Sequence, residues 1–224
     1  MSDYPLGRKP GCLERKSLYG EYFPRAEDRI KVIPSEDWDK GDVSLKPFVK
    51  TILDQGSVGS CATEAITQAV MVARAFAGLP HVELNPWFIY QETSGGRDRG
   101  SSIDENLRFV LKHGIAPMSV WPRSKGWRTK PSSEAYDAAK AFRDIEVFDI
   151  AAIDEMVSGV KLANAVVYGS KGHAVLKVKH LNDKEGLDVN SWGKDWKNGG
   201  FGVWASYQAV NFSYGAFAIR AIRS

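Results

Sequence analysis

The stretch DQGSVGSCATEAI, residues 54–66, sets a glycine-rich turn directly against a cysteine. After Cys61, apolar residues recur at helical spacing as far as Phe76, and Gly78 and Pro80 end the run. The spacing predicts a helix of about 16 residues with a small, buried face. The thiol of Cys61 is therefore expected in the first turn of a helix, next to a turn made of glycines.

Cys61 could serve three purposes other than that of a nucleophile. A phosphate-binding loop would need a lysine and a hydroxyl residue after its last glycine, whereas Gly59 is followed by Ser-Cys-Ala. A disulfide with Cys12, the second of the two cysteines, is geometrically possible but does not require a glycine turn at a helix start. Burial as a small hydrophobic side chain is the ordinary role of a free cysteine. The helix N-terminus instead favours the thiolate over the thiol, and so favours a nucleophile.

The composition limits the class of protein. With 224 residues and 43% hydrophobic content, the chain can bury a core as one domain of two lobes or as two small domains. Its 30 basic and 27 acidic residues are spread without a basic block, which argues against nucleic-acid binding. No segment approaches the roughly 18 apolar residues of a membrane span, and the start of the sequence lacks the apolar region of a signal peptide. We expect no nucleic-acid or membrane partner and no secretion through a classical signal peptide.

The pattern along the chain predicts an arm and a two-lobed α+β domain. Residues 1–35, rich in charge, Gly and Pro, are expected to form an N-terminal arm, and residues 36–224 the folded domain. Within this domain, a helical lobe is predicted over about 50–142 and a β lobe over about 143–224.

Further elements are predicted in each lobe. Helical spacing runs from Ile103 to a stop at Gly114, and Ser132 or Ser133 is expected to open a helix that continues through Phe142. After Arg143 come short segments rich in Val, Ile and aromatic residues and separated by turn residues, namely IEVFDI, NAVVY, HAVLKVKH, GLDVN, FGVWA and AFAIRAI. They predict an antiparallel sheet or a small barrel.

One histidine is placed to act as a base. His173 opens the predicted strand HAVLKV, a rigid element on which an imidazole can be held in one orientation. Asn190 lies at the end of another predicted strand, where its amide can fix the imidazole tautomer, and Trp192 can shield that hydrogen bond from water. The remaining histidines lie in loops or at element ends, where solvated or capping roles are expected: His81, His113 and His180.

The blocks DQGSVGSCA, GHAVLKV and NSWGKDWKNGGFGVW, in that order, resemble the three signature blocks of the papain-like cysteine peptidases. The resemblance extends over about residues 33–218 and includes LKHGIAPMSVWP. It implies a helical left lobe packed on an antiparallel, barrel-like right lobe with the active-site cleft between them. It also implies a thiol-dependent peptidase that acts on peptides or proteins without a cofactor, of the bacterial or viral type that lacks the usual disulfides and long propeptide.

The resemblance assigns roles residue by residue. It makes Cys61 the nucleophile, His173 the general base and acid, and Asn190 the residue that orients the imidazole. Gln55 becomes the side-chain donor of the oxyanion hole, together with the backbone N–H of Cys61.

The resemblance also implies substrate-binding residues. Gly100 and Ser101 match the backbone that binds an extended substrate through strand-like hydrogen bonds, and Trp192 covers the bond between the catalytic amide and imidazole.

The sequence departs from the family pattern in three places. Val58 replaces the first cysteine of the signature and Ala62 replaces its aromatic residue. His173 follows Cys61 by only 112 positions, against roughly 130–150 in the family, so the loops that wall the specificity pockets are expected to be short. The arm is also too short for the usual inhibitory propeptide, and the chain is therefore expected to be made in a form close to active.

An alternative to the peptidase function is that the chain has the same fold but serves as a structural or interaction module. It would then belong to a larger assembly such as a virion, with the N-terminal arm contacting protein partners. The expected location is thus cytoplasmic or within a virion. Cys12 is expected to be a free thiol without a role.

An acidic cluster around the start of the helix predicted at Ile103 could suggest a cation site. Asp98, Asp104 and Glu105 lack the alternating oxygen spacing of a calcium loop, so a solvated helix start is expected and no metal.

Overall fold

The computed structural model describes residues 8–15, 22–41 and 43–222. It has five α-helices over these residues: α1 (Cys61–Phe76), α2 (Pro86–Thr93), α3 (Ile103–His113), α4 (Ser133–Ala139) and α5 (Ile153–Lys161). Short 3-10 helices lie at Ala26–Asp28, Ser35–Asp37, Lys46–Phe48, Arg123–Lys125, Lys140–Phe142, Tyr207–Ala209 and Phe212–Tyr214. None of the helices in these ranges has the length and apolar character that crossing a bilayer requires.

Eight strands are described: β1 (Cys12–Leu13), β2 (Ser101–Ser102), β3 (Ile145–Asp149), β4 (Ala165–Ser170), β5 (His173–Asn182), β6 (Glu185–Val189), β7 (Phe201–Gly202) and β8 (Ala216–Ala221). Six of them form an antiparallel sheet in the order β3-β8-β4-β5-β6-β7. The first two form a separate parallel pair in which Cys12 lies opposite Ser101. The predicted antiparallel sheet of the α+β fold is confirmed.

The predicted helices are confirmed, and two helices were not predicted. The helix after the glycine turn runs through Phe76, and Gly114 ends α3 with a positive φ of 80°. A Cβ at Gly114 would also overlap the carbonyl of Ala139, so both backbone angle and space require glycine there. Helix α2 was not predicted because its buried residues form no single apolar stripe. Asn85 caps this helix by accepting a hydrogen bond from the Trp87 N–H at 3.0 Å. Helix α5 lies within the half of the chain predicted to be only β.

The two lobes share one core around α1. The first thirteen residues of this helix are buried, and its small side chains allow close packing against α2 and α3 on one side and the sheet on the other. Helix α5 covers the opposite face of the sheet, where Val157 and Val160 pack with Val166 and Val175. The N-terminus of α1 therefore lies at the junction of the lobes, close to the start of β5.

Part of the predicted N-terminal arm packs against the β lobe. Phe23 packs edge-on against Phe217 at 5.2 Å between ring centroids, and Ala26 and Ile30 are buried against the β lobe. The arm is thus a wrap whose described residues contribute to the core.

Candidate active site

Cys61 is the first residue of α1, and its side chain is fully buried. Backbone N–H groups of Ala174, Gly11 and Ala62, none of them in the turn before Cys61, lie near the sulfur and lower its pKa. Ala174 directly follows His173, so the structure brings the predicted nucleophile and the predicted base to the same place at the lobe junction.

His173 is held by a tight hairpin. Strands β4 and β5 are joined by Lys171 and Gly172, which both have positive φ (53° and 72°), as a two-residue hairpin turn with the twist of the strands requires. The turn places His173 at the first position of β5, opposite Ser170. The ring is fully buried.

Asn190 fixes the orientation of the imidazole. Its Oδ1 lies 2.9 Å from His173 Nε2. A carbonyl oxygen can only accept, so Nε2 carries the hydrogen and donates it. This tautomer leaves His173 Nδ1 as the ring nitrogen that can take up a proton from a neighbouring group.

Two tryptophans wall the imidazole. Trp192 stacks on His173 with ring centroids 4.6 Å apart, and Trp204 meets the ring edge-on at 5.0 Å. The backbone of Trp204 is anchored by a buried carboxylate, because its N–H donates to Asp188 Oδ2 at 2.8 Å. Asp188 is in turn paired with the buried Lys177 at 2.9 Å. The predicted covering role of Trp192 agrees with this stacking.

Gln55 is buried beside the glycine turn and is held at both ends of its amide. Its Oε1 accepts from Ser191 Oγ at 2.7 Å, while its Nε2 donates to Val58 O at 2.8 Å and to Lys9 O at 3.1 Å. The side chain thus points a donor towards a backbone carbonyl that belongs to the N-terminal segment.

That segment crosses the cleft, and we call residues 8–13 the covering segment. Gly11 O accepts from Ser101 N at 2.9 Å, and the N–H groups of Gly11 and Cys12 donate to Gly172 O at 3.1 and 3.0 Å. Gly100 lies directly behind it, where an added Cβ would overlap the Gly11 carbonyl. Of the predicted substrate-binding residues, Ser101 makes a strand-like hydrogen bond to the chain's own Gly11, while the Gly100 N–H donates to the Tyr90 hydroxyl.

The covered site has an uncharged sulfur and an uncharged imidazole. Burial raises the pKa of Cys61 to about 12, against the lowering by its backbone hydrogen bonds. Burial also lowers the pKa of His173 to about 4, although the bond to Asn190 favours the charged ring. Burial therefore opposes the preference for the thiolate that the helix N-terminus predicts.

The lowered pKa of His173 makes stability depend on pH. An unfolded chain binds a proton on this ring near pH 6.5 and the folded chain near pH 4. Between these values the unfolded state holds more protons, so the free energy of unfolding falls as the pH drops, and this ring contributes a loss of about 2.5 kcal/mol at pH 4.5 relative to pH 7. Urea unfolding at both pH values checks this. His173→Gln, which cannot titrate, should show a correspondingly smaller loss; an equal loss in both proteins would contradict the assignment.

Asp98 is a residue whose importance the sequence did not reveal. Its Oδ1 accepts from Gly59 N and from Tyr90 OH, both at 2.8 Å, and Tyr90 OH in turn accepts from Gly100 N at 3.1 Å. Its other oxygen pairs with Lys9 at 2.8 Å. The carboxylate therefore ties the glycine turn, the predicted substrate-binding backbone and the covering segment together, which a solvated helix start would not do.

The rest of the acidic cluster is also not simply solvated. Asp104 is fully buried and pairs with Arg108 one turn along α3 at 3.2 Å. No group of three or more His, Cys, Asp or Glu side chains able to hold a metal occurs among the described residues.

A second unforeseen group anchors the first turn of α1. Arg123 donates to Asp54 O at 2.6 Å and pairs with the buried Glu64. Glu64 also accepts from Ser60 Oγ at 3.0 Å. Because Asp54 precedes Gln55, Arg123 holds the backbone next to Gln55 against the helix that carries Cys61. Only a long-range contact identifies this role, and no sequence pattern could have indicated it.

Cys12 is part of the core. Its side chain is 3% exposed and packs in the same cluster as Cys61, and both cysteines are free. Burial raises the pKa of its thiol well above the usual value. The expectation of a thiol without a role therefore misses a packing contribution at the centre of the covering segment.

Comparison with known proteins supports the same architecture. No protein-family model matches the chain. An uncharacterised peptidase C1-like protein of Acanthamoeba polyphaga mimivirus is 28% identical over an alignment that covers 73% of this chain and 67% of that protein.

Solved structures share the fold at low sequence identity. Xylellain, a cysteine protease from Xylella fastidiosa, matches with a TM-score of 0.73 and 20% identity over 96% of this chain and 98% of its own. A cysteine protease of Carica candamarcensis, solved in complex with E-64, matches with a TM-score of 0.62 and 20% identity over 85% of this chain and all of its own. The chain thus has the fold of these cysteine proteases, and its sequence is similar to that of a peptidase C1-like viral protein.

Proposed function

We propose that this chain hydrolyses peptide bonds with Cys61 as the nucleophile. In the first step the Cys61 thiol passes its proton to His173 Nδ1, and the thiolate attacks the carbonyl carbon of a bound peptide. The negative charge that develops on the carbonyl oxygen is held by Gln55 Nε2 and by the backbone N–H of Cys61. Opening of the cleft to substrate precedes this step, since the Cys61 side chain is fully buried in the covered state.

The imidazole then completes the cycle. His173 gives its proton to the leaving amine as the carbon–nitrogen bond breaks, which leaves the acyl group on the Cys61 sulfur. Water, activated by the same nitrogen, attacks the thioester and releases the carboxylic acid and the free thiol. Asn190 keeps Nδ1 directed at the reacting atoms throughout, because it retains the hydrogen on Nε2.

A single observation carries the proposal. The hydrogen bond of 2.9 Å between His173 Nε2 and Asn190 Oδ1 fixes one tautomer at a site where the next residue's N–H already hydrogen-bonds Cys61. A merely structural histidine needs no such alignment with a thiol at a helix start.

The substrate in this proposal is an extended peptide or protein segment. Gly100 and Ser101 bind its backbone, as suggested by the bond between Ser101 N and Gly11 O. The viral source of the matched relative supports the expected location in a virion or in a cytoplasm.

A peptide-library assay tests the proposed function. The full chain, its Cys61→Ala variant and a Gly11→Ala variant are incubated with the library, and products are identified by mass spectrometry. We expect cleavage in the proteins that retain Cys61, with the rate in Cys61→Ala reduced by about ten thousandfold or more. Absence of Cys61-dependent cleavage in Gly11→Ala, whose covering segment cannot seat as described, would contradict the proposal.

A further inference from the structure

A lysine and an aspartate form an ion pair in the interior of the β lobe. Lys177 on β5 and Asp188 on β6 are opposite each other in the sheet, their charged groups lie 2.9 Å apart, and both side chains are fully buried. The Lys177 ammonium also lies over the rings of Tyr168 and Tyr207, 4.9 and 5.1 Å from their centroids. Both tyrosines belong to the apolar cluster that includes residues of α5. Two charges are thus enclosed in an apolar core.

The backbone of β6 leaves space for the lysine. A Cβ at Gly186 would lie 2.7 Å from Lys177 Cδ and 2.8 Å from Lys179 O, and Gly186 has no positive φ. Space and not backbone angle therefore requires glycine at this position. The Gly186 carbonyl also accepts from Lys177 Nζ at 3.4 Å. The neighbouring strand is therefore shaped around the buried pair.

Stability is a weak explanation for such a pair. Transfer of both charges out of water costs free energy that their attraction returns only in part, and replacing a buried pair by apolar residues of similar volume is often neutral or stabilising. The other contacts of Asp188 supply a different explanation. Its Oδ2 accepts from Tyr168 OH at 3.1 Å and from Trp204 N at 2.8 Å, and Trp204 belongs to the wall of the active site.

Trp204 lies outside the helices and strands, two residues after the end of β7. No strand ladder holds its backbone there, so the bond to Asp188 fixes where the residue lies. Its ring packs edge-on against His173 at 5.0 Å and against Trp192 at 5.3 Å, and its indole N–H donates to Ser170 O at the longer distance of 3.4 Å. A shift of the Trp204 backbone therefore moves a wall of the imidazole.

We propose that the Lys177–Asp188 pair positions the catalytic imidazole. Asp188 holds Trp204 against His173, and Lys177 holds Asp188 in the orientation that accepts from the Trp204 N–H. Both are positioning residues, which act on the reaction through Trp204. This inference rests on the proposed peptidase function.

Two double variants separate the charges from the hydrogen-bond acceptor. Lys177→Met with Asp188→Asn removes both charges but keeps an oxygen that can accept from the Trp204 N–H, whereas Lys177→Met with Asp188→Leu has no acceptor. Both are made in the Gly11→Ala background, because a Cβ at Gly11 would overlap the Gly59 carbonyl and so displaces the covering segment. We expect the kcat of the Asp188→Asn protein to stay within about threefold of its parent. The kcat of the Asp188→Leu protein should fall by about tenfold or more, with KM changed less than about twofold.

Chemical modification of the imidazole gives a readout that does not need peptidase activity. Diethyl pyrocarbonate modifies histidine rings, and peptide mapping by mass spectrometry gives the rate at His173 alone. The rate should be at least about tenfold higher in the Asp188→Leu protein than in the Asp188→Asn protein, because a displaced Trp204 uncovers the ring. The exposed His81 is the internal reference and should react equally in both proteins.

The chain contains a matched control pair at the edge of the sheet. Asp149 on the edge strand β3, three strands away from β5, has a fully buried side chain and pairs with Arg15 at 3.0 Å. Arg15→Met with Asp149→Leu makes the same change of charge as the variants at the proposed pair. It should leave kcat and the rate of His173 modification within about twofold of the parent.

Trp204→Ala tests the link itself and leaves the ion pair in place. It should reproduce both the lower kcat and the faster modification of His173, and adding it to the Asp188→Leu protein should cause little further change. This variant decides the question if the Asp188→Leu protein fails to fold.

The outcomes separate the positioning role from the proposed function. Equal kcat and equal His173 modification in the Asp188→Leu and Asp188→Asn proteins would overturn the positioning role, as would losses of the same size in the control pair. Faster modification of His173 without Cys61-dependent cleavage in any of the proteins would support the positioning role and contradict the peptidase. Cleavage at equal rates in all of them would support the peptidase and contradict the positioning role.

Discussion

His173→Ala is expected to lower kcat/KM for peptide hydrolysis by about ten thousandfold or more. The loss removes two proton transfers, one from the Cys61 thiol and one to the leaving amine, and both use the nitrogen that the Asn190 bond leaves available. The effect is large because burial raises the pKa of the thiol to about 12, so forming the thiolate needs a base.

This expectation has a matched control in the same chain. His81→Ala removes an exposed histidine whose ring bonds only a threonine hydroxyl at 3.2 Å, and it should leave kcat/KM within about twofold of the parent. Both substitutions are made in the Gly11→Ala background, so that the free energy of opening the cleft cancels from the ratio. A loss of less than about tenfold in His173→Ala would contradict the assignment of this residue as base and acid.

Gln55→Glu is expected to reduce kcat by about a hundred- to a thousandfold. The new carboxylate can still accept from Ser191 Oγ, so the shape and one hydrogen bond survive, but the donor for the oxyanion is lost. A negative charge also then lies where negative charge develops in the transition state. The loss should therefore fall on kcat more than on KM.

Ser191→Ala provides the comparison for Gln55. It removes the hydroxyl that orients the Gln55 carbonyl oxygen but leaves the Nε2 donor in place, still held by Val58 O. A loss of roughly tenfold or less is expected, since the donor is misplaced and not removed. If Gln55→Glu lost no more activity than Ser191→Ala, the side-chain amide would not be an oxyanion donor.

Much of the fold could be predicted because local patterns agree with it. The glycine turn followed by apolar residues at helical spacing specifies α1, and alternation of Val, Ile and aromatic residues specifies the sheet. Of the two unpredicted helices, α2 lacks this local signal, whereas α5 carries it in Ile153, Met156, Val157 and Val160. Helix α2 is buried without a single stripe, and α5 lies among strands whose pattern dominates that half of the chain.

The site was less completely predictable for a physical reason. Residue types and order point to Cys61, His173 and Asn190, but the charge state of the sulfur depends on burial, a tertiary property. The helix N-terminus alone predicts a lowered thiol pKa, whereas the covered cleft raises it. The position of the covering segment depends on backbone contacts between Gly11 and residues far along the chain, and no spacing rule predicts such contacts.

The expectation that the chain is made close to active stays a prediction. In the described state Cys61 is fully buried, and residues 8–13 must move before its sulfur becomes accessible. The same contacts bear on the expected role of the arm in binding assembly partners, because these arm residues are engaged with the chain's own cleft. Nothing in the comparisons favours a purely structural function.

The most direct test is covalent labelling with an epoxide that reacts with activated thiols, mapped by mass spectrometry in the Gly11→Ala background. The account predicts an adduct on Cys61 and not on Cys12, formed at least about a hundredfold more slowly when His173→Ala is added. Labelling of Cys61 at the same rate with and without the imidazole, or no labelling of Cys61 in the folded protein, would contradict it.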